Sequence, residues 1–99
     1  MNAFVAYNVS KMQGEVEAAL KAIGYWDKWV RTGTTTEIYN LPISCLWKPN
    51  IELINAKTEV INVVDRLNSV IPVVTDKIVL LQCIVLSVNP YEGITGVSR

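Results

Sequence analysis

Ninety-nine residues, 51% of them hydrophobic, with nine basic and nine acidic side chains and no histidine, describe one domain able to build a core without staples. The missing histidine removes the common general base, the Ser/His and Cys/His nucleophile pairs and most zinc sites. Zero net charge removes the global field that draws in nucleic acid by counterion release, so that binding of this kind would need a local basic patch.

The run "FVAYNVS", residues 4–10, is apolar and ends in polar residues, as a first strand with Asn8 at its tip does. Ser10 and Gln13 have the spacing of a capping box, which predicts a helix from about Lys11. Met12, Val16, Ala19, Leu20 and Ile23 then fall on one stripe of a 3.6-residue helix, and Gly24 is placed to end it. "YWDKWV" and "IYNLPISCLW" flank the Gly/Thr-rich "RTGTTTE", the pattern of two strands joined as a hairpin. Pro42 has no backbone donor, so the second of these strands is interrupted there or lies at an edge.

Past the break "KPN", Asn50 or Asn55 is placed to cap a second helix. Its core stripe is Ala56, Val60, Val63, Val64 and Leu67, and it ends at or before Ile71 because Pro72 follows. Lys77 to Val88 is the longest strand candidate. Strict alternation puts Ile78, Leu80, Gln82, Ile84, Leu86 and Val88 on one side and Val79, Leu81, Cys83, Val85 and Ser87 on the other. Residues 89–99 read as a polar tail able to add an edge strand or fray.

The order β, α, β, β, α, β with right-handed crossovers predicts an α+β, ferredoxin-like single domain over 1–99: a four-stranded antiparallel sheet with two helices on one face. The last strand is apolar on both sides, and the helices cover only one. A second copy of the sheet is the simplest cover, so a homodimer is expected.

Other features point to bland roles. Cys45 and Cys83 lie in apolar surroundings without CxxC spacing and read as small buried hydrophobes of a reducing compartment. The apolar stretch 78–88 is far shorter than the roughly twenty residues that span a bilayer, and no signal peptide is seen, which makes a cytoplasmic location the expectation and membrane association not. There is no GxGxxG and no P-loop, and the carboxylates are scattered, so no cofactor and no metal centre are expected. Trp26, Trp29 and Trp47, with Tyr25 and Tyr39, have the makings of a base-stacking platform, but without interleaved arginines core and interface packing is the expected use.

The element order over residues 3 to about 88, and "VAYNVS" with its Tyr7, Val9 and Ser10, resemble the small ferredoxin-like superfamily that includes the CRISPR-associated adaptation endonuclease and virulence-associated protein D. The resemblance implies a dimer in which an Asp at the strand tip of each protomer holds a metal for nuclease chemistry. This chain has Asn8 at that position. Two neutral amides make a poor site for a hard dication. The expectation is therefore a dimeric scaffold or nucleic-acid-associated protein without nuclease activity. The alternative is a metal-dependent endoribonuclease whose carboxylates, such as Asp27 or Asp76, are brought to the tip by folding.

Overall fold

The computed structural model describes residues 2–31 and 37–88. In chain order these form β1 (Ala3–Val9), α1 (Gln13–Ala22), β2 (Lys28–Arg31), β3 (Glu37–Asn40), β4 (Cys45–Lys48), α2 (Leu53–Asn68), a 3-10 turn (Val74–Asp76) and β5 (Leu80–Ser87). The expected polar tail, 89–99, and the middle of the Gly/Thr-rich turn, 32–36, lie outside the described residues.

The class is α+β with antiparallel strands, but the single four-stranded sheet is corrected. Among the described residues the main sheet has three strands in the order β4-β1-β5, and β2 and β3 pair as a separate hairpin. A fourth strand survives only as one bridge, where Trp26 N–H donates to Trp47 O (2.8 Å) and Trp47 N–H to Trp26 O (3.0 Å). At Asp27 the chain leaves the sheet, and the Asp27 carbonyl accepts from Leu41 N–H at 2.9 Å, closing the hairpin on itself instead. Pro42 marks the interruption. The chain turns there, with Cys45 N–H donating to Pro42 O (3.1 Å) and Ser44 at φ 69°, and β4 departs to pair with β1.

Both helices lie on one face of the main sheet. Ala3, Val5, Tyr7 and Val9 alternate inward along β1 and join Leu46, Val16, Leu20, Ala56, Val60, Val63 and Val64 in one cluster. Ala19, Ile23 and Leu67 complete the two helical stripes as partly buried neighbours, whereas Met12 is more exposed. A helix whose core side chains recur every three or four residues buries one stripe and leaves the rest to solvent.

The helix starts differ from expectation. Ser10 does not cap α1: its hydroxyl accepts Val79 N–H at 2.8 Å. Met12, at φ 60°, stands at the N-cap without a side-chain bond, and Gln13 turns to donate to the Tyr7 hydroxyl at 3.0 Å. Neither Asn50 nor Asn55 caps α2. Glu52 holds that place in extended backbone, and its carbonyl accepts from Asn55 and Ala56.

Strict alternation along the last strand also fails. Asn8 pairs with Gln82 but Val9 pairs with Leu80, so Leu81 is an extra residue with no partner on β1. Such a bulge reverses the parity beyond it. Ile78 and Leu80 consequently turn to the core beside Cys83 and Val85, and the opposite face is left to Gln82, Ile84 and Leu86.

Candidate functional site

On the face away from the helices, the pairs Phe4–Leu86, Ala6–Ile84 and Asn8–Gln82 run down the β1–β5 ladder, with Cys45 and Trp47 beside Ala6 and Phe4 on β4. The hairpin leans over the β4 side of this face: Trp29 packs on Trp47 with ring centroids 4.2 Å apart, and Trp47 Nε1 donates to the Lys28 carbonyl. Toward β5 there is no such cover among the described residues, and Ile84 and Leu86 stand 59% and 53% exposed. The side chains named on this face carry no charge.

The aromatics are thereby accounted for. Trp29, Tyr25 and Tyr39 are buried packing residues, and Trp26, 56% exposed, is held by its backbone bridge. Cys45 and Cys83 are not joined in a disulfide and, by register, lie on opposite faces of the sheet: Cys45 faces Ala6, and Cys83 faces the core residue Tyr7. Burial pushes the Cys83 thiol above its ordinary pKa, against an opposing pull from Lys57.

Asn8 sits at the strand tip, exposed, at one end of an open depression of about 400 Å³ whose walls include Ala6, Gln82 and Ile84. Its neighbour across the ladder is another carboxamide, Gln82. Two amides can donate and accept hydrogen bonds but bring no negative charge, and a hard dication takes its affinity from carboxylates. This donor set does not fit a divalent metal.

Asp27 and Asp76, the two carboxylates named for the tip, part company. Asp27 follows Trp26, whose bridge to Trp47 places it at the Phe4 end of the sheet. Four residues of strand separate that end from Asn8, about 13 Å at the usual rise. Asp27 is also engaged, 2.7 Å from Lys21 Nζ and 3.7 Å from Lys28 Nζ. Asp76 is nearer the tip. It is exposed on the 3-10 turn whose Thr75 carbonyl accepts from Lys11 Nζ at 2.9 Å. Among the described residues no three His, Cys, Asp or Glu side chains come together as a metal site would need.

One polar cluster escaped the sequence patterns because its members are far apart in the chain. Glu59 on α2 receives Lys48 Nζ on both oxygens, at 3.0 and 3.1 Å, and the Tyr25 hydroxyl at 3.0 Å. The Lys48 ammonium also lies 5.3 Å from the Tyr25 ring centroid. Burial first, then the hydrogen bond to Glu59 and its charge, raise the Tyr25 phenol well above its ordinary value. A phenol held neutral beside a neutralised carboxylate is a fastener between α2, β4 and the end of α1, with no base to offer.

Compared with protein-family models, curated proteins and solved structures, the chain matches none. No helix among the described residues is long and apolar enough to cross a membrane.

Proposed function

We propose that the protein is a small homodimeric scaffold of ferredoxin-like arrangement that works by self-association through the open face of its sheet and does not cleave nucleic acid. One observation carries this: an uncharged face of Phe4, Ala6, Ile84 and Leu86, left uncovered toward β5 by the described residues, with two carboxamides at one end. Burying aliphatic surface there yields about 25 cal/mol per Å². A two-fold axis through the face sets the same uncharged patch against itself, with no like charges to oppose it.

The ferredoxin-like description draws support from the order β4-β1-β5 with Trp26 bridged to the outer side of β4, as a fourth strand would be. Scaffolding is favoured over nucleic-acid association because Lys21, Lys28 and Lys48 direct their charge at Asp27 and Glu59. Among the described residues, the endoribonuclease alternative has Asp76 near the tip to build on.

Sedimentation equilibrium at micromolar concentration tests the dimer. Wild type is expected at no less than twice the 11.0 kDa chain mass. Ala6→Glu puts a carboxylate in the middle of the face without touching the core and should lower the mass or weaken association at least about tenfold, a change worth roughly 1.4 kcal/mol. A wild type of single-chain mass, or an Ala6→Glu variant that assembles unchanged, overturns the proposal.

A further inference from the structure

The open face is blocked along one side and polar at one end, and these two features orient the copy that covers it. The blocked side is β4. There Trp29 of the hairpin packs on Trp47 with ring centroids 4.2 Å apart, and Trp47 Nε1 donates to the Lys28 carbonyl, so the space over β4 is already filled. The polar end is Asn8 and Gln82, both exposed and opposite each other in the ladder. Four residues of strand, about 13 Å, separate them from the Phe4–Leu86 pair at the apolar end.

Two sheets stacked face to face lie about 10 Å apart, and in the aligned class their strands stay within about 30° of one line. A two-fold axis between them then runs either across the strands or along them. An axis across the strands reverses their direction but keeps β4 over the partner's β4. Both hairpins would crowd the same gap and hold the faces apart. An axis along the strands exchanges the sides of the sheet instead, and each hairpin falls clear of the other. With β4 covered, the β1–β5 ladder is what the described residues leave open to the partner's sheet, so the axis runs between those two strands. Rotation about it shifts nothing along the strands, and every level meets itself: Phe4 lies over the partner's Leu86, Ala6 over the partner's Ile84, and Asn8 over the partner's Gln82.

We infer, resting on the dimer proposed above, that its two-fold axis runs along β1 and β5 and that Asn8 hydrogen-bonds the partner's Gln82, twice per dimer. Each carboxamide brings both a donor and an acceptor, so the pair satisfies itself across the axis. Two features of the face agree with this independently of the hairpin. The depression of about 400 Å³ beside Ala6, Gln82 and Ile84 lies where the partner's Ile84 arrives, over the smallest side chain of the ladder. Carboxamide also meets carboxamide, and aliphatic meets aliphatic. A carboxamide pressed on aliphatic side chains would lose its water with nothing to bond, and that costs more than a made bond returns. Asn8 and Gln82 thus select the orientation of the dimer, and the partner's Gln82 completes a pair of which one chain holds half.

Isotope-filtered NMR on dimers mixed from labelled and unlabelled chains reads contacts between chains only. Contacts are expected from the Asn8 side-chain amide to the partner's Gln82 and from the Phe4 ring to the partner's Leu86 methyls. Asn8→Leu strands the partner's Gln82 and should weaken the dimer about tenfold, whereas adding Gln82→Leu should recover most of that loss, since no amide is then left unpaired. Contacts from Asn8 to the partner's Asn2 or Phe4 would mean an axis across the strands and overturn the inference while the dimer stands. So would carboxamides with no contact between chains, or a double variant that associates no better than Asn8→Leu alone. A species of single-chain mass overturns the arrangement together with the dimer on which it rests.

Discussion

Ser10 and Val79 hold each other twice: Ser10 N–H donates to the Val79 carbonyl at 2.9 Å, and Val79 N–H donates to the Ser10 hydroxyl at 2.8 Å. The tip of β1 is thereby tied to the segment entering β5, just outside the bulge. Ser10→Ala leaves the backbone bond and deletes the other, so it should cost about 1 kcal/mol in denaturant unfolding. The loss should come with faster exchange of the Val79 amide. If Ser10 were instead the cap of α1, the amides of the first helical turn would be the ones to change.

The two described glycines of the α1 region should respond oppositely to alanine. Gly24 ends the helix at φ 106°, and a Cβ there would lie 3.3 Å from Lys48 Cε. Gly24→Ala should therefore destabilise by about 1 to 2 kcal/mol, from left-handed strain and from disturbing the lysine that grips Glu59. A Cβ at Gly14 meets nothing within 4 Å, and Gly14 lies in the first turn of α1. Gly14→Ala should stabilise by about 0.5 kcal/mol through helix propensity and a less flexible unfolded chain. Chemical denaturation of both variants beside wild type checks the pair.

Both helical stripes and the break at Pro42 are legible in the sequence because each follows from a local rule: the 3.6-residue period and the missing proline donor. The helix starts are not, since Ser10 has two competing partners and only the folded chain brings Val79 beside it. The bulge at Leu81 is equally hidden. One extra residue costs nothing in a uniformly apolar run, so alternation read from Lys77 onward assigns Ile78 and Leu80 to the wrong face. At the candidate site, Asn8 and its strand tip are legible, but the carboxamide opposite depends on register, and the separation of Asp27 from the tip depends on where the chain leaves the sheet.

Stability should fall at alkaline pH because of Tyr25. Its phenol is raised above the ordinary value of 10.0 by burial and by Glu59. Above that value the unfolded chain releases the proton while the folded chain keeps it, so the slope of unfolding free energy with pH is negative. The stabilisation is whole below about pH 10 and declines as pH rises from there toward the folded value. Thermal unfolding between pH 8 and 11 should show a midpoint that drops more steeply in wild type than in Tyr25→Phe. The variant should be less stable than wild type at pH 8, for want of the bond to Glu59.

Metal-dependent cleavage asks for a water activator, supplied by a metal ion or by a base near neutral pH. This chain has no histidine. At the strand tip it sets Asn8 opposite Gln82, while Asp27 is paired with Lys21 at the far end of the sheet. Incubated with labelled single- and double-stranded RNA and DNA in Mg²⁺ or Mn²⁺, wild-type protein should leave every substrate intact. Asn8→Asp introduces one carboxylate per chain at an exposed position, and in a face-paired dimer two such carboxylates can approach one ion. Cleavage gained in that variant alone, and lost on adding chelator, would mark the tip as a disarmed metal site. Cleavage by wild type that survives repurification and stops with chelator would instead show that Asp76 or another carboxylate serves, and the scaffold proposal would give way to the endoribonuclease.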